Sequence, residues 1–133
     1  MAWRVRAIRG ATAASENSIA AIEAVVNELL DALEAHNQLI IDEIVSVTFS
    51  VTQDLNAIFP ASIARRRPHW DNVPLLDVQQ MHVESDLEYC IRCLIHFNTP
   101  NPDAPIYHPY LRQAEVLRPD WIAQPALSSQ VNN

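Results

Sequence analysis

Nine arginines and no lysine carry the permanent positive charge of this 133-residue chain, and a few of them stand where a guanidinium could do chemistry. Arg92 lies inside "CIRCLIHF", residues 90–97, among apolar neighbours where a charge is costly to bury unless paired. It either closes an ion pair with one of the sixteen carboxylates or meets an anionic ligand. Arg9 poses the same choice, beside Gly10, the only glycine in the chain. Arg4 and Arg6 alternate with Trp3 and Val5 and read as a solvated face, and Arg65, Arg66 and Arg67 read as a basic helix end that complements the helix dipole. Together Arg9, Arg65, Arg92 and Arg118 would suit a small polycarboxylate, since each guanidinium fork matches a carboxylate with two parallel hydrogen bonds. The exclusive use of arginine fits that purpose, and codon bias explains it as well.

Competing chemistries find less support. There is no Ser/His/Asp order, no phosphate-binding loop and no metal cluster. Cys90 and Cys93 form a C-x-x-C without a second pair or a histidine cluster at ligand spacing, and on a strand their thiols would point to opposite faces, so they read as small hydrophobes. His36, His69, His82, His96 and His108 are scattered and read as surface or satisfied histidines. A net charge of −7 argues against nucleic acid or an anionic membrane as partner. No apolar run reaches the roughly 20 residues that cross a bilayer, and no signal-peptide core follows the first arginines. The expectation is a soluble cytoplasmic protein of one domain.

The elements that must position these residues follow from periodicity. Residues 3–9 alternate as a strand, which Gly10 is expected to end with a sharp exit that presents Arg9. Ile22, Val26, Leu29 and Leu33 recur at helical spacing, with Ser15, Asn17 or Ser18 as N-cap and Asn37 as stop. "IVSVTFSV" (44–51) reads as a strand, a short helix starts near Pro60, and "VPLLDV" (73–78) reads as a third strand. Residues 90–97 are a fourth strand or a helix, and 106–117 a last strand interrupted by Pro109 and so placed at an edge or bulge. The expected fold is α/β, a mixed sheet of about five strands with one long and one short helix. One such helix cannot cover both faces of the sheet, so association through the open face is expected. From Trp121 onward the tail, 121–133, lacks periodicity and charge and reads as mobile.

The segments "RAIRGAT", "DLNAIFPA", "VPLLDVQQM", "CIRCL", "YHPYL" and "VLRPD" stand in the order and spacing of the monofunctional bacterial chorismate mutases of the AroH class, which the chain resembles over about residues 3–120. The resemblance implies a chorismate mutase domain over 1–120, assembled as a homotrimer of pseudo-α/β-barrel architecture with active sites between subunits. It implies an isomerase that rearranges chorismate to prephenate on the way to phenylalanine and tyrosine, without cofactor. Carried over by motif, Arg9 would hold a substrate carboxylate and Arg92 would reach the ether oxygen of the breaking bond. Tyr110, Phe59, Ala61, Leu76, Leu117, Arg65 and Arg118 would line, close or charge the cleft.

The chain departs from the family in having Gln80 in "QQM" where a glutamate is usual, and Asp77 where a cysteine is often found. A glutamine still hydrogen-bonds but supplies no charge. Asp77 is therefore expected to restore the missing charge, which requires a bend between 77 and 80. "PHW" (68–70) replaces a glycine-containing turn, and Tyr107 and Pro109 replace residues flanking His108. The neutral Gln80 leaves a second reading, a weak paralogue that binds chorismate-like dianions as a sensor. A trimeric imine deaminase, a third reading, finds no matching motifs.

Overall fold

The computed structural model describes residues 2–120, so the tail expected from 121 lies outside the described residues. The apolar stripe forms the buried face of α1 (Ile19–Asn37), where Val25 and Leu30 join Ile22, Val26, Leu29 and Leu33. Of the three candidate caps Ser18 is the one used, its Oγ accepting the Ala21 N–H at 3.1 Å. The helix ends at Asn37, and Gln38 turns the chain out of it in the left-handed region, φ 50°.

Four strands form the sheet: β1 (Arg4–Ala13), β2 (Ile44–Val51), β3 (Leu75–Gln79) and β4 (Cys90–Thr99), in the order β1-β4-β2-β3. β4 runs antiparallel to both neighbours, and β2 and β3 are parallel, joined by a crossover that contains α2 (Pro60–Arg65). Residues 90–97 are thus strand rather than helix. Ile91, Cys93 and Ile95 are buried in the same core as Ile8, Phe49 and the α1 stripe. Arg92, Leu94 and His96 occupy the other face, which α1 does not cover. Arg66 and Arg67 leave the end of α2 for acids of α1, Arg66 for Glu23 at 2.8 Å and Arg67 for Asp31 and Glu34 at 2.7 and 2.6 Å.

Several expectations are corrected. Among the described residues the sheet has four strands rather than about five, because residues 106–117 make a single parallel bridge, Tyr110 with Ala11, at the free edge of β1. Pro109 has no N–H to extend a ladder, so only its carbonyl takes part, accepting from Ala11 N at 2.9 Å. Arg112, at φ 54°, then turns the chain into a 3-10 turn, Arg112–Leu117. Gly10 does not end β1 either. It lies within the strand, without positive φ, and β1 continues to Ala13. Arg4 is exposed as expected, whereas Arg6 is half-buried and donates to the carbonyls of Pro102 and Ala104, while Trp3 and Val5 are exposed.

What requires glycine at position 10 is close approach. A Cβ there would stand 3.1 Å from the Pro109 carbonyl oxygen, 3.2 Å from Leu29 Cδ1 and 3.3 Å from Cys93 Sγ. We expect Gly10→Ala to destabilise the fold by about 1–3 kcal/mol, the usual range for an overpacked methyl group, in a denaturant titration.

Candidate active site

Arg92 lies near the start of β4, the strand flanked on both sides, and is paired with Ala11 and with Ser50, so its backbone position is fixed by two ladders. Its Nη2 lies 3.7 Å from Asp86 Oδ1. Asp86 is in turn oriented by Gln80, whose Nε2 donates to Oδ2 at 2.8 Å, and by the backbone N–H of Leu87, which donates to Oδ1 at 2.8 Å. The carboxylate beside the sheet arginine is therefore Asp86, a residue that spacing alone did not single out. It sits in the turn between β3 and β4, closed by Asp86 N to the Val83 carbonyl at 3.1 Å, and no periodic pattern marks it.

Register brings Arg9 to the same face. Arg9 pairs with Leu94 and Ala11 with Arg92, which makes Arg9 and Arg92 diagonal neighbours on one face, about 7–8 Å apart. Residues 107–111 dock along the edge of β1 beside them. Pro109 and Leu111 clasp the two backbone groups of Ala11, at 2.9 and 2.8 Å, and Arg9 N–H donates to His108 Nδ1 at 3.0 Å. The segment is anchored from behind by Asn37 at the end of α1, whose side-chain amide exchanges hydrogen bonds with the Tyr107 backbone at 2.9 and 2.8 Å.

Tyr110 thereby stands buried on this face, packed with Ala11, Ala114, Leu87 and Leu117. Burial pushes its phenol up, and the charges of Arg9, Arg118 and Arg92 pull against that rise. Arg118 itself holds Asp120 in a two-pronged pair at 2.9 and 3.1 Å.

The remaining expected site residues gather elsewhere. Asp77 lies on the α-helix side of the sheet, where its Oδ1 accepts the Ala61 N–H at the start of α2 at 3.0 Å. Burial pushes its carboxyl up, opposed by that hydrogen bond and by the charge of Arg65. The structure does not bring Asp77 to Gln80 or Arg92: five residues of regular β3 put 77 on the opposite face from the cation. Phe59, Ala61 and Arg65 belong to this second group around α2, with Phe59 70% exposed. Leu76, 58% exposed, is next to Asp77 on β3 but points to the open face. β1 and β3 are the two edges of the sheet, three strand spacings or about 14 Å apart.

Cys90 and Cys93 are free and buried, on opposite faces of β4. Burial pushes both thiols up, Cys93 to about 12, so neither is a thiolate near neutral pH. Among the described residues no three histidine, cysteine or acidic side chains are grouped to hold a metal ion. Nor is any described helix long and apolar enough to cross a membrane.

A helix-backed mixed sheet whose open face carries Arg9 and Arg92 beside a buried tyrosine, with Asp86 next to Arg92, defines the class as an α/β protein with a polar, arginine-bearing sheet face. Comparison with known proteins gives the family: chorismate mutase type I matches residues 5–121. The chain is 35% identical over 116 residues to the chorismate mutase AroH of Bacillus subtilis, covering 87% of this chain and 91% of that one. It is 41% identical over 117 residues to the chorismate mutase AroH of Thermus thermophilus, covering 87% and 95%. A solved chorismate mutase from Clostridium thermocellum superposes with a TM-score of 0.79 at 40% identity, over 84% of this chain and 98% of that one. The chain belongs to the chorismate mutase type I family, and its reading as an enzyme stands on that membership.

His108 gives the site a pH dependence. Burial lowers its pKa from the ordinary 6.5, opposed by the hydrogen bond with the Arg9 backbone and reinforced by the charges of Arg118, Arg9 and Arg6. The folded state thus keeps the ring neutral, as its acceptance of the Arg9 N–H requires. As pH falls through about 6.5 the unfolded chain takes up a proton that the folded chain does not, so stability falls on acidification. We expect His108→Gln to lose less stability than the parent between about pH 7 and 5, the comparison being made by denaturant titration at each pH.

Proposed function

We propose that the chain rearranges chorismate to prephenate by a [3,3]-sigmatropic shift, in sites that two copies build together. The placement of Arg9 and Arg92 as diagonal neighbours on the open face, with the buried Tyr110 bridged to Ala11 beside them, carries this reading, and membership of the family supports it. A pericyclic rearrangement needs no nucleophile and no proton shuttle. It needs the enolpyruvyl arm held folded over the ring, and a fixed positive charge where the breaking C–O bond sheds electron density.

Arg9 takes a substrate carboxylate and Arg92 faces the ether oxygen, with Tyr110 and Leu117 closing one wall and Arg118 adding charge. The two ladders beside β4 preorganise Arg92, so little reorganisation is needed when charge develops. The weak, sensor-like reading draws no support from the comparisons.

The second wall comes from a neighbour. Phe59, Ala61 and Arg65 lie on the far side of a sheet about 14 Å across, beyond the reach of a ligand seated at Arg9 and Arg92 of the same chain. Exposed Phe59, Leu76 and Val78 give copies an apolar surface to associate through, consistent with a trimer. Arg65 of one copy then faces the arginines of the next across the substrate.

Two measurements test this. Arg92→Ala should lose at least about a hundredfold in kcat, roughly 2.7 kcal/mol or more, in an assay of chorismate absorbance with prephenate confirmed as product. Arg92→Lys should recover only part of the loss, because an ammonium lacks the planar fork. Mixed oligomers of Arg92→Ala and Phe59→Ala chains should regain activity above either parent, since some interfaces then combine two intact walls. A mixture no better than the parents would confine the site to one chain.

A further inference from the structure

We propose that Asp86 is a positioning residue for the reaction: it aims the Arg92 guanidinium at the breaking bond, and Gln80 acts through it. This rests on the reading of Arg92 given above. At 3.7 Å the Arg92–Asp86 contact is within ion-pair range but longer than the 2.7–2.9 Å of a charge-assisted hydrogen bond. The carboxylate therefore orients the cation by charge without itself taking a hydrogen bond from its donors. Both side chains are partly shielded, 30% and 21% exposed, so the attraction is stronger than at the surface.

Asp86 is itself fixed at both oxygens, by Gln80 Nε2 and by Leu87 N. Ser85 before it is held at φ 69°, and the turn is closed on the Val83 carbonyl. Gln80 is anchored by its own N–H on the Val51 carbonyl at 2.9 Å. Its Oε1 is buried without a hydrogen-bond partner, so the orientation of the amide is set by donation to Asp86. A flipped amide would set oxygen against carboxylate. The neutral residue at 80 and the charged one at 86 are therefore a matched pair that keeps one negative charge in the site. A glutamate at 80 would crowd two carboxylates within hydrogen-bond distance.

The test is steady-state kinetics on Asp86→Asn, Gln80→Glu and the double variant Gln80→Glu/Asp86→Asn, with thermal unfolding of each. We expect Asp86→Asn to lose about tenfold or more in kcat while KM for the dianionic substrate stays level or falls, because a negative charge has left the site. The double variant, with its carboxylate moved to 80, should regain most of that loss. A kcat within about twofold of the parent for Asp86→Asn, or a folded double variant no better than it, overturns the inference. So does a raised KM at unchanged kcat, the mark of a merely structural role. If Asp86→Asn does not fold, Gln80→Glu decides: two crowded carboxylates retain a proton, so the acid limb of kcat moves to higher pH, and an unmoved limb overturns the inference. Parent protein inactive on chorismate overturns the proposed function and this inference with it, whereas an active parent with an indifferent Asp86→Asn overturns the inference alone.

Discussion

The structure turns on one constraint: a guanidinium is held in an inner strand of a small sheet, on the face that the long helix leaves open. β4 satisfies its backbone on both sides, against β1 and β2, and gives one face to the core through Ile91, Cys93 and Ile95. Strict alternation then sends Arg92 to the opposite face. That face cannot be covered by a helix of the same chain without sealing the cation away. The single long helix backs the sheet, the open face holds the charges, and Asp86 reaches in from a loop.

The only glycine and the backbone strain are arranged around the same site. Gly10 lets the Pro109 carbonyl approach β1 closely, and that approach sets the register of His108 and Tyr110 beside Arg9. Turns that glycine would ordinarily make are made by other residues at positive φ: Gln38, His69, Ser85, Tyr89 and Arg112. Each such residue costs on the order of 1 kcal/mol. Ser85 and Tyr89 bracket the Asp86 segment, and Arg112 follows Tyr110, so much of this strain falls where the chain bends to deliver a site side chain.

What was legible in the sequence was whatever has a period. The stripe of α1, the two faces of residues 90–97 and the helix start at Pro60 follow from spacing, and Arg9 and Arg92 were visible as cations set among apolar strand residues. What failed depended on where segments meet. Residues 106–117 carry enough apolar side chains to resemble a strand, yet Pro109 supplies a carbonyl and no donor, and one bridge is all that forms. Gly10 was read as a turn because glycine commonly makes turns, while its actual use, room for a neighbour, is invisible without the neighbour. Asp77 stands out as the source of the missing charge because it neighbours Gln80 in sequence, whereas Asp86 does not enter the sequence reading. Facing decides instead, and β3 turns Asp77 toward α2 while a loop of no regular pattern carries Asp86 back to Arg92.

Net charge and site charge pull in opposite directions. A chain of net −7 repels its own copies at long range, so the proposed association has to be driven by area at contact rather than by steering. The exposed Phe59, Leu76 and Val78 supply apolar area near β3. The arginines lie toward β1, and Asp77 stays tied to the start of α2 instead of projecting into the open face. In the proposed assembly a dianion arriving between two such copies would meet guanidiniums from one and an apolar wall with Arg65 from the other. It would relieve the mutual repulsion of the cations that face it, so that the assembled site would be electrostatically more favourable when filled than when empty.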